Sequence, residues 1–201
     1  RLIKKNWPNI RISVLRSGNG IYYDELKHVD RVYTSINNAL KDKYDACIIS
    51  TPAPVHLKQA IAFAKSNIPL LIEKPIGVPY QQRELWEELI RLNSSVPIYI
   101  GYIFRNDRCA LLIKDLIARK EIGDIIDADF YCGSWLPMWR KGIDYRKTVT
   151  ANKSLGGGAL LELSHEIDMA LWLFDEIQLQ SSIIEQSNLL DICPAADFPA
   201  R

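Results

Sequence analysis

The residues best suited to chemistry are a lysine and a histidine in two motifs that lie far apart in the chain. Lys74 ends an apolar run and stands between a glutamate and a proline, while His165 and Asp168 follow a glycine triplet at 156–158. Open α/β sheets place their chemistry outside the carboxyl ends of the strands, so we expect Lys74 to face a ligand crevice. His165 would bring a proton-handling group to the same place, because imidazole gives and takes a proton near neutral pH.

The spacing of His165 and Asp168 indicates one shared surface. Residues three apart lie on the same side of a helix, and residues 159–174 are predicted to be helical. We therefore interpret His165 as a proton relay and Asp168 as its orienter. The alternatives are a histidine that only caps or packs, and a strand-end Lys74 whose amine reaches solvent.

The first half of the chain alternates between β-rich runs and helical periodicity. Strands are predicted over 10–16, 45–50, 69–73 and 97–102, and helices over 55–66 and 80–92. This alternation is typical of βαβ units with a parallel sheet buried on both faces. We predict a Rossmann-like, doubly wound domain over residues 1–102. Such a domain normally opens with a strand and a glycine-rich turn, whereas residues 1–7 resemble the end of the following helix, so the first βα unit is expected to be missing.

The second half, residues 103–201, has a different pattern. Helices are predicted over 107–120 and 159–174, strands over 125–131 and 177–184, and a long aromatic and basic loop over 133–155. Long loops in compact domains are more often functional than not. We predict an α+β domain with an open, incomplete sheet.

Composition excludes several classes of function. Lys and Arg total 25 against 24 Asp and Glu, and a net charge of +1 offers no broad field for nucleic acid or an anionic membrane. Apolar runs are too short to span a bilayer, and the first residues lack a secretory pattern, so a cytoplasmic location is expected. The four cysteines lack metal-binding spacing; we expect reduced packing residues and no metal site.

Five motifs in order carry a family resemblance. They are Thr51-Pro52 after a strand, His56 in a helix, Glu73-Lys74-Pro75, residues 101–105 (GYIFR), and residues 156–168 from the glycine triplet to Asp168. Together they resemble the glucose-fructose oxidoreductase and inositol dehydrogenase (Gfo/Idh/MocA) family. The loop at 135–146 followed by the glycines is similar to the branch associated with bacterial surface-sugar biosynthesis.

The resemblance implies a nicotinamide cofactor, NADP or NAD, on the first domain and a sugar-like substrate between the domains. It also implies a homo-oligomer formed through the second domain. By matching motif, Lys74 would be the catalytic lysine, acting with His165 and Asp168. Many relatives have an aspartate just before this histidine, where the nearest acid here is Glu162.

Further site residues follow from these positions. Predicted cofactor contacts are Arg16, Ser17, Ser50, Thr51, Pro52, His56, Glu73 and Lys74. Predicted substrate contacts are Arg105, Trp139, Arg140, Tyr145, Arg146 and Glu162, since arginine binds carboxylates or phosphates and aromatic faces stack on sugars. An arginine at position 16 would suit a 2′-phosphate and hints at NADP, although a solvated strand-end arginine is the alternative. A Pro-containing turn at 51–52 and a surface lid or subunit contact at 139–146 are the corresponding alternatives.

Three hypotheses remain open on the sequence alone. The first is an NAD(P)-dependent oxidoreductase that acts on a sugar, a nucleotide sugar or a cyclitol-like substrate. The second is a non-catalytic family member that uses the cleft to bind sugars or nucleotides. The third is an inactive truncated remnant, with weaker cofactor affinity than a version with a restored N-terminus.

Overall fold

The first half of the molecule is built on short parallel strands. The computed structural model describes residues 2–18 and 23–183. Its strands are β1 (Ser13–Leu15), β2 (Arg31–Tyr33), β3 (Cys47–Ile49), β4 (Leu70–Ile72) and β5 (Ile98–Ile100). Every pairing among them is parallel, with β1 beside β2 and with β4 between β3 and β5. The predicted α/β class with a parallel sheet is confirmed.

Helices connect these strands and form most of the second half. They are α1 (Leu2–Asn6), α2 (Ile36–Ala39), α3 (Ala53–Ala64), α4 (Arg83–Leu92), α5 (Arg108–Ala118), α6 (Leu136–Trp139), α7 (Ala159–Glu162) and α8 (Ser164–Phe174). Short 3-10 turns lie at Asp24–His28, Ile103–Asn106, Tyr145–Lys147, Val149–Ala151 and Lys153–Leu155. The sequence pattern did not indicate β2 or α2, because both are too short to show a period.

The core forms where α3 covers the three-stranded sheet. Leu57 and Ala60 of α3 have no exposed surface, and Leu70 and Ile72 of β4 are at most 2% exposed. Each large apolar side chain buried in this way stabilises the fold by roughly 1.5–3 kcal/mol. The helix α4 adds Leu89 to the same cluster. The core therefore fixes the carboxyl ends of β3 and β4 relative to the start of α3.

The strands are divided between two sheets. In a doubly wound domain with strand order 3-2-1-4-5-6, a pair and a triplet of strands flank the first position. The pair β1-β2 and the triplet β3-β4-β5 match those two groups, and Leu15 of β1 packs against the core of the triplet. The described residues provide no strand between the two groups.

Two predicted strands of the second half are wrong. Residues 125–131 and 177–183 form no strand, and residue 184 lies outside the described residues. Ile126 is 99% exposed and Tyr131 is 88% exposed. A strand is defined by the backbone partner it pairs with, and the described parts of the chain supply none here. The strand-like composition of these segments alone was therefore not sufficient to predict strands.

Two other expectations also need correction. The helix predicted over 159–174 is broken at Leu163, whose φ of −101° and ψ of 24° leave helical geometry and separate α7 from α8. The cysteines of the described residues are free, but Cys109 and Cys132 are exposed and only Cys47 is partly buried. Cys193 lies outside the described residues.

Candidate functional site

Lys74 lies in the turn that follows β4, and its ammonium group contacts the second half of the chain. Its Nζ donates a hydrogen bond to the backbone oxygen of Glu162 at 2.8 Å and lies 3.3 Å from Glu162 Oε2. The side chains of the pair are 18% and 19% exposed. Partial burial strengthens a charge pair because water screens it less. Lys74 is therefore held in a fixed direction by the end of α7.

The carboxylate of Glu162 is used on both of its oxygens. Thr150, which is buried, donates its hydroxyl to Oε1 at 3.2 Å, while Oε2 faces Lys74. Two partners therefore fix the orientation of this carboxylate. Sequence reasoning predicted a substrate contact for Glu162 and missed Thr150. Glu162 could be found in the sequence because it is the nearest acid before His165. Thr150 could not, because a threonine in a long loop carries no recognisable pattern.

A cavity of about 360 Å³ opens beside this pair. Its walls include Ser50, Thr51, Pro52, Lys74, Arg140 and Glu162. The volume falls in the range of small-molecule sites, and the position outside the carboxyl ends of β3 and β4 is where open α/β sheets bind ligands. The structure thus brings predicted cofactor and substrate residues from both halves of the chain to one cavity.

The glycines before α7 let the two halves of the chain approach closely. Gly156 has a φ of +87°, and a Cβ there would lie 2.8 Å from Ala53 Cβ. A Cβ on Gly157 would lie 2.1 Å from the backbone oxygen of Val149. A larger residue at Gly156 would push the segment away from α3, and one at Gly157 would clash with the backbone of the turn at 149–150. The glycines therefore set the position of Glu162 next to Lys74.

His56 lines the cavity but does not offer its ring nitrogens to a ligand. The residue is 1% exposed. Its Nδ1 lies 2.9 Å from the backbone oxygen of Pro75, and its Nε2 lies 2.5 Å from that of Thr51. Both polar atoms of the ring are thus directed at the backbone. The prediction that His56 contacts the cofactor can hold only through the carbon atoms of the ring.

Asp168 pairs with Arg105 instead of with His165. Its two oxygens accept hydrogen bonds from Arg105 Nε at 2.9 Å and from a terminal guanidinium nitrogen at 2.7 Å, and Asp168 is 7% exposed. The hydrogen bond to Asp168 raises the pKa of the Arg105 guanidinium. The expected orienting contact to His165 is not formed. Arg105 was predicted to bind substrate, but its guanidinium group is bound to the carboxylate of Asp168 through two hydrogen bonds.

His165 lies among aromatic rings. Its ring centroid is 5.6 Å from that of Tyr102 and 5.0 Å from that of Phe104, both in edge-to-face geometry. Its Nδ1 is buried and has no hydrogen-bond partner among the described residues. His165 is not one of the residues that line the cavity. The expected meeting of Lys74 and His165 in a common cavity is not seen here: His165 lies in α8, beyond the break at Leu163, and packs beside Tyr102 and Phe104.

The loop before the glycines contributes a second, smaller pocket. Trp139, Arg140 and Tyr145 line it together, and Arg140 also lines the main cavity. Arg146 lines neither and instead binds Asp144 through Nε at 2.9 Å. That hydrogen bond lowers the pKa of the Asp144 carboxyl. Of the four loop residues predicted to contact substrate, three are therefore grouped beside the cavity.

The remaining predicted cofactor residues lie outside the cavity. Arg16 and Ser17 follow β1, in the two-stranded sheet. Glu73 is directed toward Gly101, where a Cβ would lie 3.3 Å from Glu73 Oε2. In residues 2–18 and 23–183, no group of three or more His, Cys, Asp or Glu side chains could hold a metal ion. None of the helices in these ranges has the length and hydropathy of a membrane-spanning segment.

Curated proteins similar to this chain are dehydrogenases of polyols and sugars. Inositol 2-dehydrogenase 1 of Mycolicibacterium vanbaalenii is 28% identical over an alignment of 152 residues, which covers 74% of this chain and 40% of the relative. Glucose-6-phosphate 3-dehydrogenase of Bacillus subtilis is 23% identical over 149 residues, again 74% of this chain and 42% of the relative. The chain thus spans about two fifths of the length of these relatives.

Solved structures share the fold. The myo-inositol 2-dehydrogenase of Lactobacillus plantarum superposes with a TM-score of 0.62 at 20% identity, over 81% of this chain and 48% of that one. The WlbA dehydrogenase of Bordetella pertussis, solved with NADH and UDP-GlcNAcA, gives a TM-score of 0.64 at 18% identity, over 81% of this chain and 46% of that one. At this identity the likeness concerns the fold alone.

Two family models match successive parts of the sequence. Residues 23–97 match the model described as an oxidoreductase family with an NAD-binding Rossmann fold, which confirms the cofactor class expected from the sequence. Residues 110–188 match the GFO/IDH/MocA C-terminal domain. The two matches belong to one family and follow each other in the order of its domains. The chain belongs to the Gfo/Idh/MocA family of oxidoreductases.

Proposed function

We propose that the protein transfers a hydride between a nicotinamide cofactor, NAD or NADP, and a carbinol carbon of a sugar, nucleotide sugar or cyclitol. The observation that carries this proposal is the cavity in which Lys74, held by Glu162, lies beside the carboxyl ends of β3 and β4. A directed ammonium group in a concave, partly water-excluded site suits the development of charge on a substrate oxygen.

The residues along the cavity wall fit a nicotinamide cofactor. Ser50 and Thr51 line the cavity at the end of β3, and Pro52 contributes an apolar surface there. These are the residues that would hold the cofactor near Lys74. When bound, the nicotinamide ring supplies hydride donor and acceptor chemistry that no side chain has. The cavity is large enough for a nicotinamide ring and a small substrate.

Lys74 would handle the proton that accompanies the hydride. In the direction of oxidation, the amine form of Lys74 would accept the proton of the substrate hydroxyl while the carbinol carbon gives up its hydride, so that a carbonyl forms. Lys74 Nζ lies within hydrogen-bond distance of Glu162, so the carboxylate would balance the charge of the ammonium that results. In reduction, the same ammonium would donate a proton to the carbonyl oxygen.

Arg140 and its neighbours would select the substrate. Arg140 borders both the main cavity and the pocket with Trp139 and Tyr145. Aromatic faces beside an arginine suit a hydroxylated ring that bears a carboxylate or phosphate. The named substrates of the similar proteins, inositol and glucose 6-phosphate, are ring polyols and support this class.

The division into domains and the assembly are part of the same proposal. We infer a cofactor domain at 1–102 and a substrate domain at 103–201 that forms a homo-oligomer. Exposed apolar side chains such as Ile126 and Leu179, 99% and 71% exposed, support an assembly through the second part. A monomer in sedimentation equilibrium at micromolar concentration would refute the oligomer.

Turnover measurements test the proposed function. Nicotinamide absorbance is followed with myo-inositol, glucose 6-phosphate and nucleotide sugars for the wild type and Lys74→Ala. Loss of the proton-handling group should lower the rate by about 10²- to 10⁴-fold. Lys65→Ala is the matched control, since Lys65 forms its ion pair with Glu88, outside the cavity. An undiminished rate in Lys74→Ala would remove the lysine from the mechanism.

A further inference from the structure

We propose that Gln81 and His56 are positioning residues for Lys74, which together clasp the lysine-bearing turn, residues 74–80, onto the start of α3. The importance of the clasp for catalysis depends on the proposed function, but its contacts do not. Regular β4 ends at Ile72, so the turn needs other contacts to fix the direction of Lys74. A lysine has a flexible four-carbon stem, and a defined anchor point restricts where its amine can reach.

Gln81 joins the two segments through both ends of its amide. Its Oε1 accepts a hydrogen bond from the backbone nitrogen of Val78 at 3.0 Å, and its Nε2 donates one to the backbone oxygen of Pro54 at 2.7 Å. An amide is the side-chain group that offers a donor and an acceptor at this separation. Gln81 is half-buried, so the loss of either bond would leave a backbone group poorly satisfied.

His56 makes the matching connection on the cavity side. Its ring stands between the backbone oxygens of Thr51, just before α3, and Pro75, directly after Lys74. A neutral imidazole donates to one of these oxygens and a doubly protonated ring donates to both. In either form the buried ring is the spacer that sets the distance between the end of β3 and Pro75.

Two further contacts hold the same turn against the glycine segment. Tyr80 donates its hydroxyl to the backbone oxygen of Ser154 at 2.9 Å. A Cβ on Gly156 would lie 3.1 Å from Val78 Cγ1, so the two backbones are close together. The turn is therefore held between α3 and the segment that carries Glu162, the partner of Lys74. A loosened clasp should free Lys74 selectively.

The test measures the rate at which an acylating reagent modifies individual lysines, read by mass spectrometry of the full chain. In Gln81→Glu the oxygen that serves Val78 is kept and the donor to Pro54 is lost. Gln82→Glu is the matched control, because Gln82 is the exposed neighbouring residue whose side chain makes no capping bond to α4. Lys65, with a side chain 59% exposed at the end of α3, reports on the rest of the fold.

We expect acylation of Lys74 to be about fivefold faster in Gln81→Glu, from the loss of one hydrogen bond that keeps the turn closed. The acylation rate of Lys65 should not change in Gln81→Glu. In the control Gln82→Glu, the acylation rates of both Lys74 and Lys65 should equal those of the wild type. Gln81→Met, which keeps the length of the side chain without its polar atoms, should show the same selective increase if Gln81→Glu does not fold. An unchanged acylation rate of Lys74, or equal increases in the acylation rates of Lys74 and Lys65, would overturn the positioning role.

The outcome does not depend on turnover. A selective increase at Lys74 without any hydride transfer would leave the clasp intact and refute the proposed function. Hydride transfer that depends on Lys74, together with an unchanged acylation rate in both Gln81 variants, would refute the clasp alone.

Discussion

At the scale of single residues, the proposed function depends most on the ion pair of Lys74 and Glu162. Both side chains are mostly buried, and the carboxylate is also held by Thr150. The electrostatic attraction within a mostly buried ion pair is stronger than that within an exposed pair, because water and salt screen the exposed charges. We therefore expect a change at Glu162 to affect the activity that depends on Lys74.

Glu162→Gln keeps the shape of the side chain and removes its charge. We expect hydride transfer to fall by about 10- to 100-fold, the worth of a hydrogen bond to a charged group. Glu88→Gln is the control, since Glu88 pairs with Lys65 in an exposed contact outside the cavity. Initial rates for both variants decide the matter. Equal rates for Glu162→Gln and the wild type would contradict a role for the pair.

We expect Cys47 to make the protein less stable at alkaline pH. Burial raises the pKa of its thiol from 9.0 to about 11. The unfolded thiol therefore ionises first, so the free energy of unfolding should fall as pH rises from about 9 to about 11, by on the order of 2 kcal/mol. Urea unfolding at pH 8 and pH 10.5 measures the change. Cys47→Ala should reduce this pH dependence and Cys109→Ala, at an exposed position, should not.

Several site residues could be predicted from the sequence, but not all of their contacts. Strand ends place Ser50, Thr51 and Lys74 at one edge of the sheet, and the structure brings them to one cavity. The spacing of His165 and Asp168 correctly indicated one helix, α8. It could not show that Arg105 takes the carboxylate, because that contact spans 63 residues and depends on how the halves pack.

Contacts between elements determine how the second half is held. The 3-10 turn after β5 is joined to α8 by the fork of Arg105 on the buried carboxylate of Asp168. Removing the arginine leaves a buried charge without its partner, whereas removing the charge leaves an arginine whose side chain is 44% exposed. The two substitutions should therefore have unequal effects.

We expect Arg105→Met to lower the free energy of unfolding by about 1–3 kcal/mol, the penalty for a buried polar group left unsatisfied. Asp168→Asn should lower it by less, since the amide can still accept one hydrogen bond. Urea denaturation of both variants gives the comparison. A larger loss in Asp168→Asn than in Arg105→Met would show that the buried carboxylate has other support.

Elements with a strong period were predictable and those that depend on distant partners were not. Helix α3 overlaps the helix predicted over 55–66, and Leu57, Ala60, Ile61 and Ala64, which have the spacing of one helical face, are among its buried residues. The segments at 125–131 and 177–183 have strand-like composition but no partner among the described residues. Periodicity reports which face is buried, whereas a sheet also requires a second backbone.

The divided sheet is the main feature at the scale of the whole molecule. The pair β1-β2 and the triplet β3-β4-β5 leave the first position of a doubly wound sheet without a strand in the described residues. In such folds the turn after that strand meets the cofactor pyrophosphate with backbone N–H groups. Under the proposed function, the cavity near Lys74 would hold the nicotinamide end of the cofactor, and other groups would bind the pyrophosphate.

A chain extended at its N-terminus by a strand and a glycine-rich turn should bind NADH or NADPH more tightly. Two to three added hydrogen bonds to phosphate would improve affinity by at least about tenfold. Fluorescence titration of both chains measures this, with a glycine-to-valine version of the added turn as control. Equal affinity of the extended and the present chain would show that the turn is not needed.

Isotope transfer tests the central claim most directly. A ring polyol carrying deuterium on its carbinol carbon is incubated with NAD or NADP and the chain, with and without the N-terminal extension, and the nicotinamide product is examined by mass spectrometry. We predict deuterium on the reduced ring for the wild type and none above background for Lys74→Gln. Equal label with Lys74→Gln, or no label from any polyol in either form of the wild type, would contradict hydride transfer assisted by Lys74.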